Sequence, residues 1–230
     1  MAINTAGPRL FLEPYGSPAL DRLARLIAWA KAVDPLAPVT VVVPTQYAGL
    51  SLRRRLAEEG GLLNVRFMVP ARLAEMLGAP TVAGRGKAPL SPLVELAAIR
   101  SLASKLAGPG PLPNASHPRL HSFLRRTFRQ LDKLSEPDLA QIEQADALRE
   151  QIVKWYRLSR VALSRFYTRE ELARSAAVSV EDGKASGPLR DLGSVICFLV
   201  QDLSPGEVAL VNALGKAGVC AVILGRTSED

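Results

Sequence analysis

Gly16, Ser17, Pro18, Ala19 and Leu20 follow a short apolar run, Arg9-Leu10-Phe11-Leu12, where a strand would turn into a helix. Gly16 suits a turn that needs positive φ, Ser17 is a good N-cap, and Pro18 at the first helical position loses nothing by lacking an N–H. Strand, Gly turn and helix N-terminus together make the geometry that cradles phosphate, because unpaired amides and the helix dipole converge there. Phosphate chemistry needs more than geometry. A working phosphate loop ends in Gly-Lys-Ser/Thr, with the Lys on the outer phosphates and the hydroxyl on magnesium. Pro18, Ala19 and Leu20 occupy those positions here, so the scaffold of a nucleotide site is present and its ligands are absent.

Other residues offer less. Gly84-Arg85-Gly86-Lys87 has the glycines and cations of a phosphate loop, but no strand precedes it and the Gly-Lys-Ser/Thr ending is missing, so it reads as a connector. Cys197 and Cys220 lie in apolar runs and read as buried, reduced side chains; two Cys with two His give no metal spacing. Arg53, Arg54 and Arg55 read either as a solvated helix face or as contacts to a polyanion, and three adjacent residues cannot share one helix face. Trp155, Tyr156, Phe166 and Tyr167 read as packed aromatics rather than a base-stacking platform.

The chain has 230 residues, 48% of them hydrophobic, and a formal net charge of +7. That is enough for one large core, or a core plus a helical insertion. No run approaches a membrane span and residues 1–8 lack the pattern of a signal peptide, which points to a cytoplasmic protein without a membrane partner. Lys and Arg outnumber Asp and Glu by 13 to 7 over residues 1–114 and 12 to 8 over 115–175, but are outnumbered 4 to 7 over 176–230. A basic excess confined to the first three quarters favours a polyanionic partner.

The elements that would position these residues alternate. Leu20, Leu23, Leu26, Ile27 and Ala30 make one helical stripe over residues 17–33, closed by Asp34-Pro35. Val39-Thr40-Val41-Val42-Val43 is β-branched throughout and stops at Pro44, as a strand buried on both faces would. Thr45 caps a second helix closed by Gly60-Gly61; residues 65–69 form a strand and 71–77 a short helix ending at Gly78. The order predicts a parallel sheet with right-handed crossovers.

After a Gly/Pro-rich link, residues 90–106 read as a helix with Leu93, Leu96, Ala97, Ile99, Leu102 and Leu106 in its core stripe, and 108–113 as a loop. Residues 117–180 read as helical without a strand. Leu120, Phe123, Leu124, Phe128 and Leu131 point inward there, and Arg125, Arg126, Arg129 and Lys133 outward. Ser135 and Thr168 start helices with capping-box patterns. A flexible stretch, 183–188, precedes buried strands at 194–200 and 219–224, with a helix from Ser204-Pro205-Gly206-Glu207 to Leu214 between them. A sheet that ends on a fresh strand without a closing helix leads us to expect a fragment of a longer protein. The expected divisions are 1–114, the first part of the α/β domain; 115–182, a helical insertion; and 183–230, the return to the sheet.

These pieces, in this order, resemble the N-terminal motor-like domain of the AddB-type subunit of bacterial helicase-nucleases, a relative of UvrD-type superfamily 1 helicases. Val41-Val42-Val43-Pro44-Thr45-Gln46 with Leu52-Arg53-Arg54-Arg55-Leu56 resembles the strand and helix that lie along single-stranded DNA in that family. Ala71-Arg72-Leu73 resembles its Ser/Ala-Arg-Leu helix, and Pro89-Leu90-Ser91-Pro92 the start of its helical subdomain. Phe198-Leu199-Val200-Gln201-Asp202 resembles the Walker B strand end, usually Asp-Glu-Phe-Gln-Asp. The resemblance implies a RecA-like, P-loop-NTPase-type parallel sheet with an all-helical insertion. It implies a DNA-binding surface at Pro44, Thr45, Gln46, Arg53, Arg54 and Arg55, and a degenerate nucleotide site at Gly16, Ser17, Pro18, Ala19, Phe198, Leu199, Gln201 and Asp202.

Phe198 and Leu199 then stand where the magnesium-binding Asp and the water-activating Glu belong, so both halves of an ATP site are lost together. Phosphoryl transfer depends on such charged groups. The expected role is a non-catalytic, helicase-like DNA-binding or scaffolding domain in double-strand-break end processing and recombinational repair, with no cofactor. Its expected partners are single-stranded or duplex-end DNA and a helicase subunit with an intact motor, and a nuclease domain would lie downstream. The alternatives are a divergent but active ATPase using ATP and magnesium, and a protein-interaction domain without DNA contact. Asp202 is alternatively a cap of the following helix.

Overall fold

The computed structural model describes residues 7–58, 61–106 and 117–227. In chain order its elements are β1 (Arg9–Pro14), α1 (Ser17–Ala30), β2 (Val39–Val42), α2 (Gln46–Glu58), β3 (Val65–Met68), α3 (Pro70–Gly84), β4 (Ala88–Pro89), α4 (Pro92–Lys105) and α5 (Pro118–Leu131). They continue with α6 (Glu136–Glu143), α7 (Ala147–Ala162), β5 (Phe166–Tyr167), α8 (Arg169–Glu181), α9 (Ser186–Leu192), β6 (Ser194–Phe198), α10 (Pro205–Lys216) and β7 (Cys220–Arg226). The expected loop at 108–113, the boundary at 114/115 and Gly60 lie outside the described residues.

The chain divides into two compact units: Met1–Thr81 together with Glu171–Asp230, and Val82–Glu170. A helical segment thus interrupts an α/β unit in sequence. Its compact span starts at Val82, where the sequence placed 115, because α4 packs on α5 and α7; it ends at Glu170, where the sequence placed 182.

The first unit is built on a five-stranded sheet in the order β1-β7-β6-β2-β3, every neighbouring pair parallel. The β-branched run Val39-Thr40-Val41-Val42 is buried at every position, as a strand covered on both faces must be. Val39, Val41 and Val43 join Ile196, Phe198 and Ile223 from neighbouring strands and Ala19, Leu20, Leu23 and Ile27 from α1 in one core. Thr40, on the other face, is fully buried and donates its hydroxyl to the Leu192 carbonyl at 2.8 Å, which satisfies the polar group that burial would otherwise penalise. The edge strand β1 leaves Leu10 and Leu12 exposed.

Several local expectations change. The N-cap of α1 is Gly16 rather than Ser17: at φ 92 its carbonyl accepts from the Leu20 amide, so Ser17 and Pro18 are already inside the first turn and no side chain caps it. The helix stops at Ala30, short of residue 33. Gly78 does not end α3, which runs on through Pro80 to Gly84. The glycine serves a close approach instead, since a Cβ there would lie 2.7 Å from the Leu172 carbonyl oxygen of α8. Thr81 and Ser179 share a hydrogen bond between the same two helices. The stretch expected to be flexible at 183–188 runs into the short helix α9. In 84–87 the amides of Arg85, Gly86 and Lys87 already donate to Val82 and Ala83 carbonyls, so they close α3 rather than face a phosphate.

The helical unit also departs from a helices-only expectation. Phe166–Tyr167 pairs in parallel with Ala88–Pro89 as a two-residue bridge. Its core gathers Ile99, Leu124, Phe128, Leu131, Leu139, Ile152, Val153, Trp155 and Tyr156, with Phe128 and Tyr156 edge to face at 5.7 Å. Leu93, expected in the α4 stripe, is 78% exposed, and Glu95 is buried in that stripe instead. Burial of this carboxylate is offset by two guanidiniums: Arg125 Nε at 2.8 Å and Arg129 at 2.7 Å. Arg125 and Arg129 therefore do not both serve as free outward charges.

Tyr156 donates to Asp132 at 2.9 Å, and burial first, then the Asp132 charge, push its phenol well above the usual tyrosine range. The capping box at Ser135 forms as expected, and its hydrogen bonds hold the Asp138 carboxyl below the usual range.

Candidate nucleic-acid interface

Because every strand of the sheet runs the same way, the turns after β1, β6 and β2 all leave its carboxyl edge, where α/β folds place ligands. The sequence assigned two sites to these turns, and the side chains there differ in kind.

At the turns after β1 and β6, where the sequence led us to expect a degenerate nucleotide site, side chains bond to one another and to the backbone. Tyr15 donates its hydroxyl to Gln201 Oε1 at 2.8 Å, and Gln201 Nε2 donates to the Gly225 carbonyl at 3.0 Å. The Tyr15 ring lies so close over β7 that a Cβ on Gly225 would come within 2.3 Å of it. Phe198 is 6% exposed and belongs to the sheet core, and Leu199 packs against that core.

Leu199 also holds a left-handed backbone, φ 52, with its amide bonded to the Ile223 carbonyl. A residue with a side chain pays about 1 to 2 kcal/mol for that conformation. Asp202 is exposed and does not cap α10; Ser204 does, in a capping box with Glu207. Gly16, Ser17, Pro18 and Ala19 supply no cation, and among the described residues no group of His, Cys, Asp or Glu is arranged to hold a metal ion.

At the turn after β2 the edge is open. Pro44, Thr45 and Gln46 are exposed. Thr45 caps α2 as expected: its Oγ1 accepts from the Ala48 amide at 3.1 Å and its carbonyl from Gly49 at 3.2 Å. Gln46, Leu50 and Arg53, at spacings of four and three, then share one face of α2. That face and β3 bound an open groove of about 580 Å³ lined by Gln46, Leu50, Arg53, Arg66, Phe67 and Arg72, among others. Arg54 and Arg55 are exposed but do not line it, since each residue rotates the helix by about 100°.

No family model and no curated protein matches this chain.

The groove therefore brings together Gln46 and Arg53 of the expected set and adds two cations that sequence reasoning did not place there, Arg66 from β3 and Arg72 from the first turn of α3. Arg72 pairs with Glu75 at 2.8 Å, with both side chains about half exposed, so the pair is weak and the guanidinium can be shared with a ligand. Tyr47, 85% exposed beside Thr45, also escaped the sequence reading. Strand alternation within β3 and the spacing 46, 50, 53 in α2 were the signals available for the groove. Among the described residues that line the groove there is no nucleophile or acid–base pair. Guanidiniums around an apolar floor with an exposed ring nearby suit a phosphate backbone and unstacked bases.

Proposed function

We propose that this chain is a non-catalytic, helicase-like domain that holds single-stranded DNA, related to the N-terminal motor-like part of AddB-type helicase-nuclease subunits and built on a RecA-like sheet. The observation that carries the proposal is the contrast along one sheet edge: Tyr15 and Gln201 hydrogen-bond to each other and Phe198 is buried, while Arg53, Arg66 and Arg72 line an open groove. DNA runs across the carboxyl edge, its phosphates on the three Arg and near the α2 N-terminus. Force generation falls to a partner subunit with a working motor, and this domain contributes grip within recombinational repair. No described helix is long and apolar enough to cross a membrane.

Two titrations on the same sample test this. Magnesium-ATP at millimolar concentration is expected to leave the melting temperature unchanged, whereas a ligand well above its Kd would raise it. Single-stranded oligonucleotides are expected to bind without sequence preference and more weakly as salt rises. Saturable ATP stabilisation favours the active ATPase. Absence of any salt-dependent DNA binding favours the protein-interaction domain.

A further inference from the structure

The helical unit carries a basic surface that the groove does not use. α5 holds Arg119, Arg125, Arg126 and Arg129 and no acidic residue. Buried Glu95 engages Arg125 and Arg129. Arg119 and Arg126 are exposed and make no side-chain ion pair among the described residues. Phe123 sits between them, four residues after one and three before the other, so all three lie along one helix face. Its ring is 48% exposed, because Leu124, Phe128 and Leu131 already fill the inner face of α5. With Pro118 and Ser122 these residues line a shallow hollow of about 340 Å³, and none of the described residues lining it is a carboxylate.

We infer that this face of α5 is a base-stacking contact for single-stranded nucleic acid, separate from the α2–β3 groove. Phe123 offers a π-face to one unstacked base. Arg119 and Arg126, seven residues and therefore about 10 Å apart along the helix, meet the phosphates on either side. An aromatic ring with flanking cations is how sequence-tolerant single-strand binding is built, since every base has a face to stack. An acidic protein surface would satisfy the two guanidiniums but has no use for an uncovered ring between them. The contact rests on its own residues and holds whether or not the groove binds DNA.

The test compares an oligothymidylate with an abasic oligomer of equal length, by fluorescence anisotropy on the whole chain. Phe123→Ala is expected to weaken oligothymidylate binding about fivefold or more and to leave abasic binding unchanged; Phe123→Trp restores it. Arg119→Ala with Arg126→Ala weakens both oligomers and lowers the salt slope by about 1.4, the release expected for two single-strand phosphate contacts. These arginines are exposed, so the double variant keeps its fold even if the Phe123 variant does not. Substitution of the groove arginines Arg53, Arg66 and Arg72, by contrast, weakens both oligomers. Equal binding of oligothymidylate by Phe123→Ala and parent overturns the stacking contact, and so does polyglutamate binding that matches oligothymidylate and weakens in the same variant.

Discussion

The turns after β1 and β6 and the turn after β2 leave the same edge of one parallel sheet, yet a Tyr15–Gln201 hydrogen bond closes over the first region, whose residues stay largely at the surface, and the second is open and basic. At the closed end Tyr15 and Gln201 share a hydrogen bond, and Phe198 of β6 belongs to the sheet core. At the open end three guanidiniums line a groove. Backbone geometry alone thus does not decide what an α/β edge binds. The side chains delivered to each turn decide it, and here one turn receives a hydrogen-bonded tyrosine and glutamine and the other a set of cations.

The largest effect should come from forcing the closed region to resemble a working site. Phe198→Asp places an unpaired carboxylate in the sheet core, and the lost side chain alone costs about 3 to 5 kcal/mol. Urea denaturation should show an unfolded or strongly destabilised protein. Loss of less than about 1 kcal/mol would mean that the position is solvated, as in a functional nucleotide site, and the contrast would collapse.

A smaller effect is expected at the open region. Thr45→Ala removes the side-chain cap of α2 and should cost about 1 kcal/mol in thermal or chemical melting. DNA affinity should fall along with stability, because the same turn positions the amides that face the ligand. Tyr15→Phe deletes one partly exposed hydrogen bond and should cost about 0.5 to 1 kcal/mol. DNA binding should stay unchanged, which separates the two regions functionally; a parallel loss of DNA affinity would join them.

The smallest effect serves as a control on the helical unit. The Tyr156 phenol is raised in the folded state, so its contribution is fully present below the ordinary tyrosine value of about 10 and is lost as pH rises through the higher folded value. Stability should decline above about pH 10, and Tyr156→Phe should blunt that decline in a pH series of melting curves.

What the sequence disclosed follows the range over which each signal acts. The five sheet strands, the cap at Thr45 and the capping box at Ser135 are local patterns of apolar runs or hydroxyl spacing, and all of them form. Gly78 misled because a glycine that permits two helices to cross looks the same in sequence as one that ends a helix. Leu93 and Phe123 misled because an apolar side chain on a helix looks the same in sequence whether it is buried or exposed, and here Glu95, held by Arg125 and Arg129, takes a buried position while both apolar residues stay exposed.

The interlock at the closed edge was out of reach, since Tyr15 and Gln201 are 186 residues apart and neither belongs to a periodic pattern. The groove was half legible. The spacing of Gln46, Leu50 and Arg53 separates Arg53 from Arg54 and Arg55, but only the tertiary placement of β3 and the start of α3 brings Arg66 and Arg72 to the same groove.

The central claim is that the open edge, and not the closed one, engages DNA, and the most direct measurement is the salt dependence of single-strand binding in Arg53→Ala/Arg66→Ala/Arg72→Ala. Each true phosphate contact contributes about 0.7 to the slope of log K against log salt. The account predicts weaker binding to every oligonucleotide and a slope reduced by about 2, with a melting temperature close to the parent's. Parent-like affinity and slope in a folded triple variant would contradict it.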